Sequence, residues 1–170
     1  MAPTETKAHI DWLPHIDFEL DAPVSKVWPH LLDWDTWMPD KVCKHVTGPE
    51  KAVGAVESIE TLSEGEVIST IYGEIVRLEP ERRIAYRLLP ARETAGLANI
   101  DSARGHMIWN LYPLPGDRTL LAYETVAEME SSSLGQEEFT AQFAAAEVTG
   151  RNHWLEDYVP ELKRLLAETT

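Results

Sequence analysis

The sequence predicts an α+β domain: an antiparallel sheet with a long C-terminal helix laid across one face. Three observations predict it. Between Lys41 and Met129 the chain is a succession of apolar-alternating runs separated by short Gly- or Pro-containing breaks, the texture of hairpins. From about Gly135 onward it becomes Ala-rich and helical in composition. Helices gathered at the ends of such a strand-rich stretch indicate an antiparallel sheet and not alternating βα units. A chain of 170 residues is the size of one domain and can bury a substantial core.

The first ordered element is expected at His15 to Leu20, HIDFEL, where Ile16, Phe18 and Leu20 alternate with Asp17 and Glu19 at the period of a half-buried strand. Residues 1–14 are read as an N-terminal extension and 15–168 as the domain. Pro23 suits a first helical turn, and Val24, Val27, Trp28, Leu31 and Leu32 follow at helical spacing. Asp33 and Asp35 can cap a second short helix carrying Trp34 and Trp37, which Pro39 ends. Six strand-like runs follow: KVCKHVT, AVESIETL, EVISTIYGEIVRL, RRIAYRLL, GHMIWNLYPL and RTLLAYETVAEM.

Strand polarity assigns their faces. With Glu124 and Glu128 in water, Leu121, Tyr123, Thr125, Ala127 and Met129 turn inward. The same alternation sends Ile84, Tyr86 and Leu88 inward with Arg83 and Arg87 out, and Met107, Trp109 and Leu111 inward with Asn110 out. In the terminal helix Leu155, Tyr158, Leu162 and Leu165 form an apolar stripe, and Gly150 and Pro160 mark places for a bend.

Charge and composition exclude several functions. A formal net charge of −14 repels phosphate backbones and anionic headgroups, so neither nucleic-acid binding nor membrane insertion is expected. The basic residues are uneven, with six of the nine arginines between Arg77 and Arg104, a patch that could receive an anion. Cys43 is alone, which rules out an intrachain disulfide or a Cys-based zinc site. MAPTETKAHI lacks the apolar core of a signal peptide, and a cytoplasmic location is the expectation. GPEKAVG lacks the Lys-Ser/Thr ending of a phosphate loop. HWLED offers at best half of a metal site, and no metal or cofactor is expected.

The order of elements resembles the helix-grip fold of the SRPBCC superfamily, which includes START-like lipid carriers, the birch-pollen allergen group, and bacterial polyketide cyclases and aromatases. The residues that carry the resemblance are HIDFEL with APVSKVWPHLLDWDTWMPD, then VGAVESIE, GEIVRLEPERRIAYRL, IWNLYPLPGDRTLLAYE and the closing ELKRLLAE. The resemblance is nearest the bacterial polyketide cyclase/dehydrase-like branch. It implies a curved sheet of about seven strands wrapped on the long C-terminal helix, two short helices after the first strand, and a ligand cavity between sheet and helix. Many functions share that frame.

Within it, Trp28 and Trp34 are expected in the core, and Trp37 at either the core or the cavity rim. Ile71, Met107, Trp109, Phe139 and Phe143 are the expected ligand-binding wall, with Tyr86 and Tyr123 as orienting groups or proton donors. The alternative is a solidly filled core. The long connection PARETAGLANIDSAR, residues 90–104, is either a lid or a solvated insertion; as a lid it would bring Arg92, Asn99 or Arg104 to an acidic ligand. Glu147 with Arg151, and His153 with Asp157, stand four apart on the terminal helix. Glu147 and His153 are therefore candidates for acid–base catalysis, against the commoner reading of solvated surface pairs.

Two function classes follow. One is a cofactor-independent cyclase, aromatase, dehydratase or lyase acting on an aromatic or polyketide-like molecule. The other is a non-catalytic carrier of a lipid, quinone or other hydrophobic metabolite. A protein-interaction module is a more distant third, and homodimerisation is left open.

Overall fold

The computed structural model describes residues 7–89 and 102–168. Its eight strands form one antiparallel sheet: β1 Ala8–Trp12, β2 His15–Leu20, β3 Lys41–Thr47, β4 Val56–Ser63, β5 Glu66–Glu79, β6 Arg83–Leu89, β7 Ser102–Leu114 and β8 Arg118–Ser131. The spatial order is β1-β8-β7-β6-β5-β4-β3, with β2 also on β8. Helix α1 (Val24–Leu32) and a 3-10 turn (Trp34–Thr36) follow β2. The C-terminal helix runs as α2 (Gln136–His153), a π-turn (Trp154–Tyr158) and α3 (Val159–Glu168).

The sheet has one strand more than the sequence suggested, and it comes from the stretch read as an extension. Strand β8 is 14 residues long, enough for two partners in succession. Ile16 faces Tyr123 in the β2 pairing, and Ile10 faces Met129 in the β1 pairing. Between them the Thr125 N–H donates to the Pro14 carbonyl at 3.0 Å, so the joint keeps its backbone bonds although Pro14 has no N–H. The side chain of Gln136 ties β1 to the start of α2: its Oε1 accepts from the His9 N–H at 2.8 Å and its Nε2 donates to the His9 carbonyl at 2.7 Å. That covers an edge that would otherwise be open.

Pro160 interrupts the terminal helix, whereas Gly150 lies within α2 without a break. A proline presses on the carbonyl four residues earlier and cannot donate to it. The chain widens by one residue just ahead, and the Val159 N–H reaches the Trp154 carbonyl instead, as a π-turn requires. The extra residue turns Trp154 and Tyr158 together into the interior, where both are buried.

Face assignments follow the period of two. Ile84, Tyr86, Leu88, Trp109, Leu111, Leu121, Ala127 and Met129 are buried, and Arg87 and Glu128 are exposed. Asn110 departs from expectation. It is buried, because the Arg83 guanidinium folds over it and donates to its Oδ1 at 2.6 Å. Three members of the arginine patch are paired with carboxylates: Arg77 and Arg82 with Glu79, and Arg87 with Glu74.

The tryptophans supply one end of the core. Trp37 is fully buried, and its Nε1 donates to the His30 carbonyl at 2.8 Å. Its ring meets Trp109 edge-on at 5.7 Å and Trp154 at 5.9 Å. Trp34 stacks on Trp109 at 6.2 Å, and Trp28 packs partly buried against the same cluster. Such rings carry large apolar areas and favour these geometries. Among the described residues, no helix is long and apolar enough to cross a membrane.

Candidate functional site: a cavity between sheet and terminal helix

The concave face of the sheet and the terminal helix enclose a cavity of about 300 Å³. Its wall is largely aromatic: Trp34, Trp109, Tyr123, Phe143, Trp154 and Tyr158 all face it. Trp109 and Tyr123 lie 4.7 Å apart, and Tyr123 stacks on Trp154 at 5.0 Å. A groove of about 580 Å³ adjoins it, running between the β1–β2 edge and the β3–β4 edge beneath the helix. The two share Trp12, Lys41, Thr61, Tyr123, Ala146, Trp154 and Tyr158, which form the junction.

Three sets of polar groups touch this space. The first is centred on Glu57, which is 1% exposed. Its carboxylate accepts from the Tyr86 hydroxyl at 2.9 Å and the Cys43 thiol at 3.1 Å, and the Lys51 ammonium lies 3.7 Å away. Gly73, the cross-strand partner of Glu57, makes this reach workable. A Cβ there would lie 3.1 Å from the Tyr86 ring, so its absence lets the ring cross β5. Trp34 Nε1 donates to the Tyr86 hydroxyl at 3.4 Å. Burial, reinforced by the Glu57 carboxylate, pushes the Tyr86 phenol and the Cys43 thiol well above their ordinary values. Burial works against the charge of Lys51, but Glu57, Cys43 and Asp33 outweigh it and hold the ammonium above its ordinary value.

The second set is a hydroxyl pair in the cavity wall, Tyr123 with Thr125 at 2.9 Å. Burial raises the Tyr123 phenol, which stays neutral. Two hydroxyls sharing one hydrogen bond keep one further proton to donate.

The third set sits at the junction. Lys41 Nζ donates to Thr61 Oγ1 at 2.9 Å and lies 3.3 Å from Asp40 Oδ2. The Tyr158 hydroxyl donates to Asp40 Oδ1 at 2.5 Å, and burial followed by that bond raises its phenol. Trp12, on the same junction, buries an indole N–H with no acceptor among the described residues. Among the described residues no group of three or more His, Cys, Asp or Glu is placed to hold a metal ion.

The structure gathers Tyr86, Tyr123, Ile71, Met107, Trp109 and Phe143 around the cavity. It separates the other candidates. Trp37 lies behind the wall and not at the rim. Phe139 is fully buried beside Phe143 in a second cluster under α2. Arg104 is on the outer face of the sheet with Asp11 and His106. Its strand pairs Gly105 with Ala127, and alternation puts the neighbours of the inward Ala103 and Met107 outside.

Glu147 and His153 face the groove and not the cavity. Both are exposed, and His153 is bonded to Asp157 at 2.9 Å. Arg92, Asn99 and most of the 90–104 connection lie outside the described residues. Sequence reasoning missed Glu57, Lys41, Thr61 and Asp40. The period of two carried a signal for the first: Glu57, Ile59 and Thr61 alternate on one face of β4, so an inward Ile59 takes Glu57 with it.

No family model matches the chain, and no curated protein sequence does. Solved structures do. An aromatase/cyclase, Zhui, from a Streptomyces species superposes with a TM-score of 0.60 at 19% identity, over 96% of this chain and 93% of that one. Norcoclaurine synthase from Thalictrum flavum, in complex with dopamine and hydroxybenzaldehyde, gives 0.62 at 14% identity over 96% and 90%. Ara h 8.0201 gives 0.61 at 9% identity over 94% and 99%. The fold is the helix-grip fold that these structures share. At these identities the likeness is one of fold, and the chemistry of this helix-grip protein has to be argued from its own cavity.

Proposed function

We propose that this helix-grip protein binds a hydrophobic, aromatic or polyketide-like small molecule in the cavity and serves cofactor-independent cyclisation, dehydration or lyase chemistry on it. The observation that carries the reading is the wall itself. Trp34, Trp109, Trp154, Tyr123 and Phe143 surround an enclosed space, and flat aromatic faces around a largely apolar cavity suit a flat apolar guest. Two similar structures support it, one an aromatase/cyclase and the other holding two aromatic molecules. The net charge of −14 argues against a nucleic-acid partner.

Among the tyrosines, Tyr123 is the group placed to act on a guest. Tyr86 commits its proton to Glu57, whereas the Tyr123–Thr125 pair retains one for a carbonyl or hydroxyl of the ligand. Fixing the substrate in a largely apolar cavity supplies the rest by proximity and orientation.

The carrier reading draws on a specific observation as well: the Tyr86 and Tyr158 protons are both taken by carboxylates of the protein. Native mass spectrometry of protein purified gently from its host, followed by identification of released molecules, tests the binding. An aromatic or polyketide-like adduct is expected. A lipid or quinone would favour the carrier, and a bare protein with no tryptophan-fluorescence response to aromatic ligands would sink the reading. With the ligand known, Tyr123→Phe should keep binding and lose turnover; unchanged handling of the ligand would leave the carrier.

A further inference from the structure

The junction between cavity and groove holds hydrogen-bond donors that the protein leaves without an acceptor. A lysine ammonium has three N–H donors, and Lys41 directs one to Thr61 and one toward Asp40. The Thr61 hydroxyl accepts from Lys41 and keeps its own proton. Both carboxylate oxygens of Asp40 are engaged, one by Tyr158 and one by Lys41. Lys41 and Thr61 face each other across the register of β3 and β4, and Lys41, Thr61 and Trp12 line both the cavity and the groove. An oxygen at this position would find the third N–H of Lys41 and the hydroxyl proton of Thr61, neither of them spent on another partner.

We propose that Lys41 and Thr61 form an oxygen-recognising subsite, and that the ligand is an aromatic molecule carrying an uncharged carbonyl oxygen at the end that points to the junction. The assignment rests on the cavity being the ligand site. Charge decides the class. Asp40 already balances Lys41, so the cluster has no net positive charge to offer a carboxylate, and a carboxylate arriving there would face Asp40. A ketone, aldehyde or quinone oxygen needs donors without a counter-charge, and that is what the junction supplies. The apolar body then lies against Trp109, Tyr123 and Trp154.

Binding of three matched compounds tests this, measured by isothermal titration calorimetry: 2-acetylnaphthalene, 2-isopropylnaphthalene and 2-naphthoate. They share one apolar body and differ in the oxygen. The wild-type protein should bind the ketone about 10-fold more tightly than the hydrocarbon, the effect of one to two net hydrogen bonds, and naphthoate more weakly than the ketone. Lys41→Met and Thr61→Val should each lower that preference several-fold while leaving 2-isopropylnaphthalene unchanged. Equal binding of ketone and hydrocarbon to the wild type, a preference that survives both substitutions, or tightest binding of naphthoate would each overturn the subsite and leave the cavity reading standing. Binding of none of the three would overturn both.

Discussion

Two polar clusters lie on the same face of the same two strands, and they behave in opposite ways. Cys43 and Glu57 belong to one, Lys41 and Thr61 to the other; β3 and β4 each contribute one residue to each. Around Glu57 every donor has found its acceptor inside the protein, and the carboxylate is sealed at 1% exposed. At Lys41 donors are left over, and the site opens onto cavity and groove. A closed, satisfied network fixes a wall, whereas an open one with surplus donors can receive something. The alternation of a strand delivers both kinds of residue inward.

The largest effect should come from breaking the closed cluster. Glu57→Ala leaves the buried Tyr86 hydroxyl and Cys43 thiol both without their acceptor, at about 1–3 kcal/mol for each orphaned group, while Lys51 keeps the Leu32 carbonyl and Asp33. Urea denaturation followed by tryptophan fluorescence should show this loss. A midpoint within a few tenths molar of wild type would mean that Glu57 is not the organising group.

Next comes Tyr86→Phe, which deletes one hydroxyl but leaves a buried carboxylate oxygen and the Trp34 N–H short of a partner. About 1–3 kcal/mol is expected for such an orphaned group. The phenol also predicts a pH dependence of known sign. Its folded value is raised, by burial first, above the ordinary 10.0. The stability it contributes is therefore fully present below pH 10 and declines as pH rises past it, because the unfolded chain releases a proton that the folded chain keeps. Each such group lowers stability by about 1.4 kcal/mol per pH unit in that range. Denaturation curves between pH 8 and 11 should fall more shallowly for Tyr86→Phe than for wild type; parallel curves would contradict the raised phenol.

How much of this contrast was legible in the sequence depends on what fixes each residue. The inward faces of β6 and β8 followed from charged residues that could point only to water, and that of β7 from a polar Asn110, so Tyr86, Trp109 and Tyr123 came out correctly. The same rule placed Asn110 outside but could not show that Arg83 would bury it. Strand β1 was missed because its pattern, AHIDW, is short and becomes a strand only against the far half of β8. Glu57 sat in plain alternation with Ile59, but a carboxylate reads as exposed until Gly73, Tyr86 and Cys43 are known to surround it. Lys41 and Thr61 were invisible for another reason. They meet through a cross-strand register, and the cavity they overlook is closed by residues far along the chain, at Trp154 and Tyr158. Glu147 and His153 had the right spacing for a pair, but spacing on a helix says nothing about which side the sheet covers.

The smallest expected effect sharpens the comparison most. Lys41→Met removes a charge as surely as Glu57→Ala does, yet its effect on stability should stay below about 1 kcal/mol, the usual range for a partly solvated ion pair. Asp40 keeps its bond from Tyr158, Thr61 turns to water, and the methionine stem replaces the apolar part of the lysine. The measurement is the same urea series used for Glu57→Ala. If Lys41→Met unfolds the protein as readily, the junction is a second structural network and its surplus donors are an accident of packing. If stability holds while the preference for a carbonyl-bearing ligand falls, the open cluster is maintained for something other than the fold, since the fold does without it.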